Sequence, residues 1–155
     1  MEQHTHPTNR NTRLLQVWCE AMIAFGLAIA LIPWVRDDFF AWIATGDADH
    51  ARDWPQAARD YVTFNQALLG ALTAGLGLAA FWLARVPIVR GEAWAWTAFV
   101  TSVGLWFVVD NVASIALGFP RNVVFNVVLV APAVPVLWTA RRAIPATTSP
   151  DRLPV

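Results

Sequence analysis

Four apolar runs of roughly twenty residues each, divided by charged loops, take up most of this 155-residue chain. They cover about Leu14–Val35, Tyr61–Ala84, Ala93–Phe119 and Asn122–Ala140. A helix rises about 1.5 Å per residue, so each run is long enough to cross a hydrocarbon core about 30 Å thick. The expected fold is therefore all-α, a four-transmembrane-helix bundle over residues 14–140. A polar N-terminal tail (residues 1–13) and a disordered C-terminal tail (residues 141–155) are expected to flank it. Only 14% of residues are charged, against about 25% in soluble domains, which favours lipid over water as the solvent.

Several function classes drop out early. A formal net charge of zero argues against a nucleic-acid partner. Cys19 is the only cysteine, so no disulfide framework, paired-thiol chemistry or structural zinc site is expected. No phosphate-cradling glycine loop and no Ser/His/Asp arrangement occurs, and neither an enzyme nor a cofactor is expected. Asp47, Asp49, His50 and Asp53 lack the glycine and final glutamate of a calcium loop, so they read as a solvated acidic segment, not a metal site. The first run is too long for the core of a secretory signal and carries Glu20, so it reads as a retained span.

Orientation follows from the arginines, since all eleven basic residues are Arg. The N-terminal tail, the second loop and the C-terminal tail hold seven of them; the first and third loops hold four. Both termini are expected in the cytoplasm, with the chain in a bacterial inner membrane. Trp18, Trp34, Trp82, Trp94, Trp96 and Trp138 fall near span ends, as amphipathic rings prefer, and Trp106 alone falls near mid-span. In the first extracytoplasmic loop, Asp37 or Asp38 is expected to cap a short interfacial helix through Phe39, Phe40, Trp42 and Ile43 that ends at Thr45-Gly46-Asp47. Gly70, Ala74 and Gly77, with a second row at Ala71, Gly75 and Ala79, should form helix contacts. Pro132 and Pro135 should bend the fourth span.

The membrane makes a few polar residues costly, and these are the candidate site. Every fourth residue of the third span gives Ser102, Trp106, Asp110, Ser114 and Gly118 on one helix face. A carboxylate at the depth of Asp110 costs on the order of 3 kcal/mol on insertion scales, so it needs partners. Asn65 and Gln66 of the second span and Asn122 and Asn126 of the fourth lie at similar depth. The expected cluster is Asn65, Gln66, Trp106, Asp110, Ser114, Asn122 and Asn126, with Arg121 or Arg59 as counter-charge. It serves either as a ligand site or as hydrogen bonding that fixes helix register. Glu20, about a turn after Gln16, is a separate candidate for proton coupling.

Arg90-Gly91-Glu92-Ala93-Trp94-Ala95-Trp96, then Trp106-Phe107-x-x-Asp110-x-x-x-Ser114-x-x-x-Gly118, then Asn122-x-x-x-Asn126 resembles a group of small four-span bacterial membrane proteins without a settled function. The likeness covers about Tyr61–Ala140, with an echo in Phe39–Gly46, and implies fold and location only. Small multidrug transporters share a first-span Glu but have shorter loops, and tryptophan-rich sensory proteins have five spans. The leading expectation is a noncatalytic membrane protein whose partners are the bilayer and a lipid, small amphiphile or membrane protein. The alternative is a proton-coupled transporter using Glu20 in a homo-oligomer.

Overall fold

A computed structural model of the protein describes residues 8–143, and it is helical with no strand among them. Helix α1 (Thr8–Leu31) begins ahead of the apolar run, inside the segment expected to be a polar tail. A break at Ile32, before Pro33, leads into a π-helical turn, Val35–Phe39, and then the short α2 (Phe40–Thr45). Gly46, at φ 85°, ends α2 in the left-handed region that glycine adopts without steric cost. Helices α3 (Gln56–Arg85) and α4 (Ala93–Ala116) follow. After Gly118, at φ 82°, come α5 (Pro120–Val130) and α6 (Ala133–Ala143). Residues 144–155 of the C-terminal tail expected to be disordered lie outside the described residues, whereas residues 141–143 continue α6 past the end expected for the fourth span.

Asn11–Leu31, α3 and α4 are each long and apolar enough to cross a membrane. Helices α5 and α6 meet that test together, as a pair bent by 43°. The bend falls at Pro132, where a backbone donor is missing, as expected. Pro135, expected to bend the span too, sits in the first turn of α6, where its missing N–H has no helical acceptor to lose, and the helix runs on through it. Leu72, Leu105, Val112, Ile115, Val124 and Val128 are among many large apolar side chains left exposed. An apolar exterior of this extent is compatible with a small membrane protein and costly in water.

The tightest packing joins α1 to α3. Along α1 the buried residues are Thr12, Leu15, Cys19, Met22, Gly26 and Ile29, alternating three- and four-residue steps. That is the seam of two helices crossing at a shallow angle. The facing seam of α3 is made of small residues: Gly70, Ala74, Gly77, Ala80 and Ala84. A β-carbon built on Gly26 would stand 2.4 Å from Ala74 N and 2.6 Å from Gly70 O, so backbone touches backbone there. The expected first row of small residues is thus at the interface, whereas Ala71, Gly75 and Ala79 are exposed. Nothing lies within 4 Å of a β-carbon built on Gly75.

At the end of the bundle where α1 begins and α6 ends, Leu15, Cys19, Ala84, Ile88, Ala95, Phe99 and Ala140 form the core. The break leaves the carbonyls after Val127, which still accepts from the Ala131 N–H at 2.9 Å, without helical donors of the usual kind. Trp18 Nε1 of α1 donates to one of them, Leu129 O, at 2.8 Å, and Trp96 Nε1 of α4 donates to Leu137 O of α6 at 2.9 Å. Arg141 lies over the Trp96 ring and Arg142 over that of Trp138, while Arg85 lies by Phe81 and Trp82, so the cations stay at the bundle end while their stems cover apolar surface. Replacing Trp18 by Phe keeps the ring but orphans the Leu129 carbonyl. The expected loss is about 1–2 kcal/mol, read as a lower thermal unfolding midpoint in detergent.

The loop between α1 and α3 departs from expectation at its start. Neither Asp37 nor Asp38 caps a helix; both lie inside the π-helical turn, where no side-chain cap bond forms. The reason is Pro33, which is suited to a first helical turn and restarts the helix before the aspartates are reached. Asp37 instead pairs with Arg36 at 2.9 Å and accepts from Thr63 Oγ1 at 3.3 Å, tying the turn to α3. The hydrogen bond from Arg36 to Asp37 holds the Arg36 pKa above its ordinary value, against the opposing effect of burial. Helix α2 buries Ile43 and leaves Trp42 exposed.

Candidate functional site

Helices α4 and α5 are joined by a polar knot. Asn122 and Asn126, one turn apart on α5, both aim their amides at α4. Asn122 Nδ2 donates to Asp110 Oδ2 at 3.0 Å and to Ser114 Oγ at 2.8 Å. Asn126 Nδ2 donates to the same Asp110 oxygen and to Asn111 Oδ1, the latter at 3.3 Å. Each amide has two N–H donors, and in both residues both are used. Ser114 Oγ donates back to the Asp110 carbonyl at 2.7 Å, and Asn111 Nδ2 to the Phe107 carbonyl at 2.6 Å. Asn111, Ser114 and Asn126 are buried. A carboxylate is thus solvated by neutral amides rather than by a cation.

The knot contains four residues of the expected cluster, Asp110, Ser114, Asn122 and Asn126, and one that sequence reasoning missed, Asn111. A row of every fourth residue drifts by about 40° per step around a helix with 3.6 residues per turn. The face of α4 that meets α5 therefore takes in Asn111 with Ser114, while Ser102 and Gly118 on the same row are exposed. The signal was present: Asn111 follows Asp110 directly, and a pair of Asn one turn apart carries four donors, more than one carboxylate oxygen takes. Trp106 is half-buried and lines a small cavity beside the knot, together with Asp110, Asn122 and Asn126. That cavity is about 40 Å³, enough for water and too small for an amphiphile.

Asn65 and Gln66 are elsewhere. Asn65 is exposed, and its amide donates to the Tyr61 carbonyl of its own helix at 2.7 Å. Neither proposed counter-charge reaches Asp110. The Arg121 guanidinium lies against Gly46, and Arg59 donates to Gln56 Oε1 at 2.7 Å and Arg52 O at 3.4 Å. Glu20 is exposed on α1 and lines neither of the two cavities described here.

Gln66 lines a second, larger cavity of about 390 Å³, between the π-helical turn, α2, the 48–54 loop and the first turns of α3. Pockets that hold small ligands begin at about 300 Å³. Ala41, Val62 and Phe119 give it apolar wall, and Asp37, Asp38, Asp49, Arg52 and Arg59 give it charge. Two of the three carboxylates are already paired, Asp37 with Arg36 and Asp49 with Arg52 at 2.5 Å. Gln66 Oε1 is buried and accepts no hydrogen bond. His50 meets Trp54 edge-on at 5.5 Å. Among the described residues no group of three or more His, Cys, Asp or Glu side chains is placed to hold a metal ion. The chain matches no protein-family model, no curated protein and no solved structure.

Proposed function

We propose that this chain is a small integral membrane protein, noncatalytic, that binds a lipid or small amphiphile in the 390 Å³ cavity at the bundle end away from the start of α1 and the end of α6. The observation that carries this reading is the cavity's mixed wall: apolar side chains beside charges of both signs, at the end of an apolar bundle. An amphiphile presents the same two chemistries side by side. In this reading the bent α5–α6 pair is a single fourth span, both termini face the cytoplasm, and α2 lies at the outer membrane surface. Gln66 faces the ligand. Asp110, Asn111, Ser114, Asn122 and Asn126 hold α5 to α4, and Trp106 closes the apolar side of the knot. A proton-coupled transporter working through Glu20 is the second reading; Glu20 is exposed on α1 and lines neither the 390 Å³ cavity nor the one beside the knot.

A cavity-filling substitution tests the reading. Purified protein titrated with a single-chain phospholipid is expected to gain thermal stability, and Ala51→Trp, which puts an indole into the cavity wall, is expected to abolish that gain. The unliganded variant should stay within about 0.5 kcal/mol of the parent, since Ala51 lies on a partly exposed loop. An equal gain in parent and variant would place lipid binding outside this cavity.

A further inference from the structure

We infer that the outer cavity recognises a zwitterion that carries a primary ammonium group and an anionic oxygen group, the chemistry of a phosphoethanolamine; this rests on the amphiphile reading above. Once the internal pairs Arg36–Asp37 and Arg52–Asp49 are set aside, one charge of each sign is left on the wall. Asp38 has no ion pair or hydrogen bond among the described residues. Arg59 donates only to the neutral oxygens of Arg52 and Gln56. A guanidinium has five N–H donors, so three remain for an anion. A simple anion would satisfy Arg59 and be repelled by Asp38; a simple cation would meet the reverse. A ligand with both charges complements both residues at once.

Asp38 narrows the cationic half. A carboxylate takes charge-assisted N–H···O bonds, which are stronger than neutral ones. A primary ammonium brings three N–H groups to Asp38, whereas a quaternary ammonium brings none. The ligand's apolar portion then meets Val62 and Phe119. This chemistry is shared by an ethanolamine lipid headgroup and by a free phosphoethanolamine-type solute.

The test compares lysophosphatidylethanolamine, lysophosphatidylcholine, lysophosphatidylglycerol and soluble glycerophosphoethanolamine, each titrated into the full chain and read by thermal shift. The ethanolamine lipid is expected to bind at least about tenfold more tightly than the glycerol and choline lipids, the scale of one charge-assisted hydrogen bond. Asp38→Asn should remove that preference; Arg59→Gln should weaken binding of all three lipids about alike, since each carries the phosphate, and Arg59→Lys should keep most of the affinity. Both residues are exposed, so the variants should fold. A shift with glycerophosphoethanolamine equal to that with the lipid identifies a free solute as the ligand; a shift with the lipid alone identifies a headgroup. Either outcome supports the inference. Equal affinity for all three lipids, unchanged in both variants, overturns it and leaves the amphiphile reading standing. If no lipid and no solute binds the parent, the amphiphile reading fails, and the inference with it.

Discussion

Replacing Gly26 by alanine is expected to be the most damaging single-methyl change in the protein. The new β-carbon would lie 2.4 Å from Ala74 N, 2.6 Å from Gly70 O and 2.9 Å from Ala74 Cα. Every one of these atoms is backbone, so no side chain can rotate aside, and α1 must move away from α3. Overpacking in a well-packed core costs about 1–3 kcal/mol, and a contact that only a helix displacement relieves belongs at or above the top of that range. Gly70→Ala should behave alike, because its β-carbon would stand 2.6 Å from both Ala30 N and Gly26 O. The control is Gly75→Ala on the open face of α3, where nothing lies within 4 Å. There the helix-propensity gain of about 0.5–1 kcal/mol should appear as a higher midpoint. Thermal unfolding of the three variants in one detergent decides the matter. Equal midpoints for Gly26→Ala and Gly75→Ala would contradict backbone contact between α1 and α3.

Removal of Asn126 is expected to have the second-largest effect. Interhelical hydrogen bonds in membranes are worth about 0.6 kcal/mol on average, because freed groups find other partners. Asn126 differs because it serves a carboxylate and a second amide at once, in a position with almost no exposure. Asn126→Leu leaves Asp110 with Asn122 as its one remaining amide partner and Asn111 Oδ1 with no donor. The expected loss is about 2–4 kcal/mol, above the ordinary interhelical value because a charge is involved. The companion experiment is Asp110→Leu in the Asn126→Leu background. Removing both partners of a buried polar pair costs less than stranding one, so the double variant is expected to be more stable than Asn126→Leu alone. A double variant that loses the sum of two independent effects would show that the knot is not a coupled unit.

The legibility of this fold was uneven, for physical reasons. The apolar runs and the bend at Pro132 were readable because hydrocarbon thickness and a missing N–H are local constraints. The small-residue seam was half readable. Gly70, Ala74 and Gly77 face α1, but Ala71, Gly75 and Ala79 carry the same spacing, and only the partner helix decides which row is covered. Gly26 drew no notice as a single glycine in α1; its significance comes from α3. In the candidate site, Asn122, Asn126, Asp110 and Ser114 were found through helical spacing within one helix hairpin. Asn65 and Gln66 were grouped with them by depth, and depth says nothing about the direction a residue takes around its helix axis. The larger cavity was beyond reach, since the 48–54 loop, which has no periodicity to follow, supplies much of its wall and decides how α2 and α3 face each other across it.

The Trp18 bond to Leu129 spans almost the whole described chain, from the first helix to the break before the last. It contrasts with the α1–α3 seam, whose members have all emerged once Arg85 has been synthesised. The N-terminal half can thus build its own interface early, while the indole of Trp18 waits for a carbonyl made some forty residues later than the end of α3. Among the described helices the bent α5–α6 pair is the last to emerge, and it docks against an indole that α1 already presents.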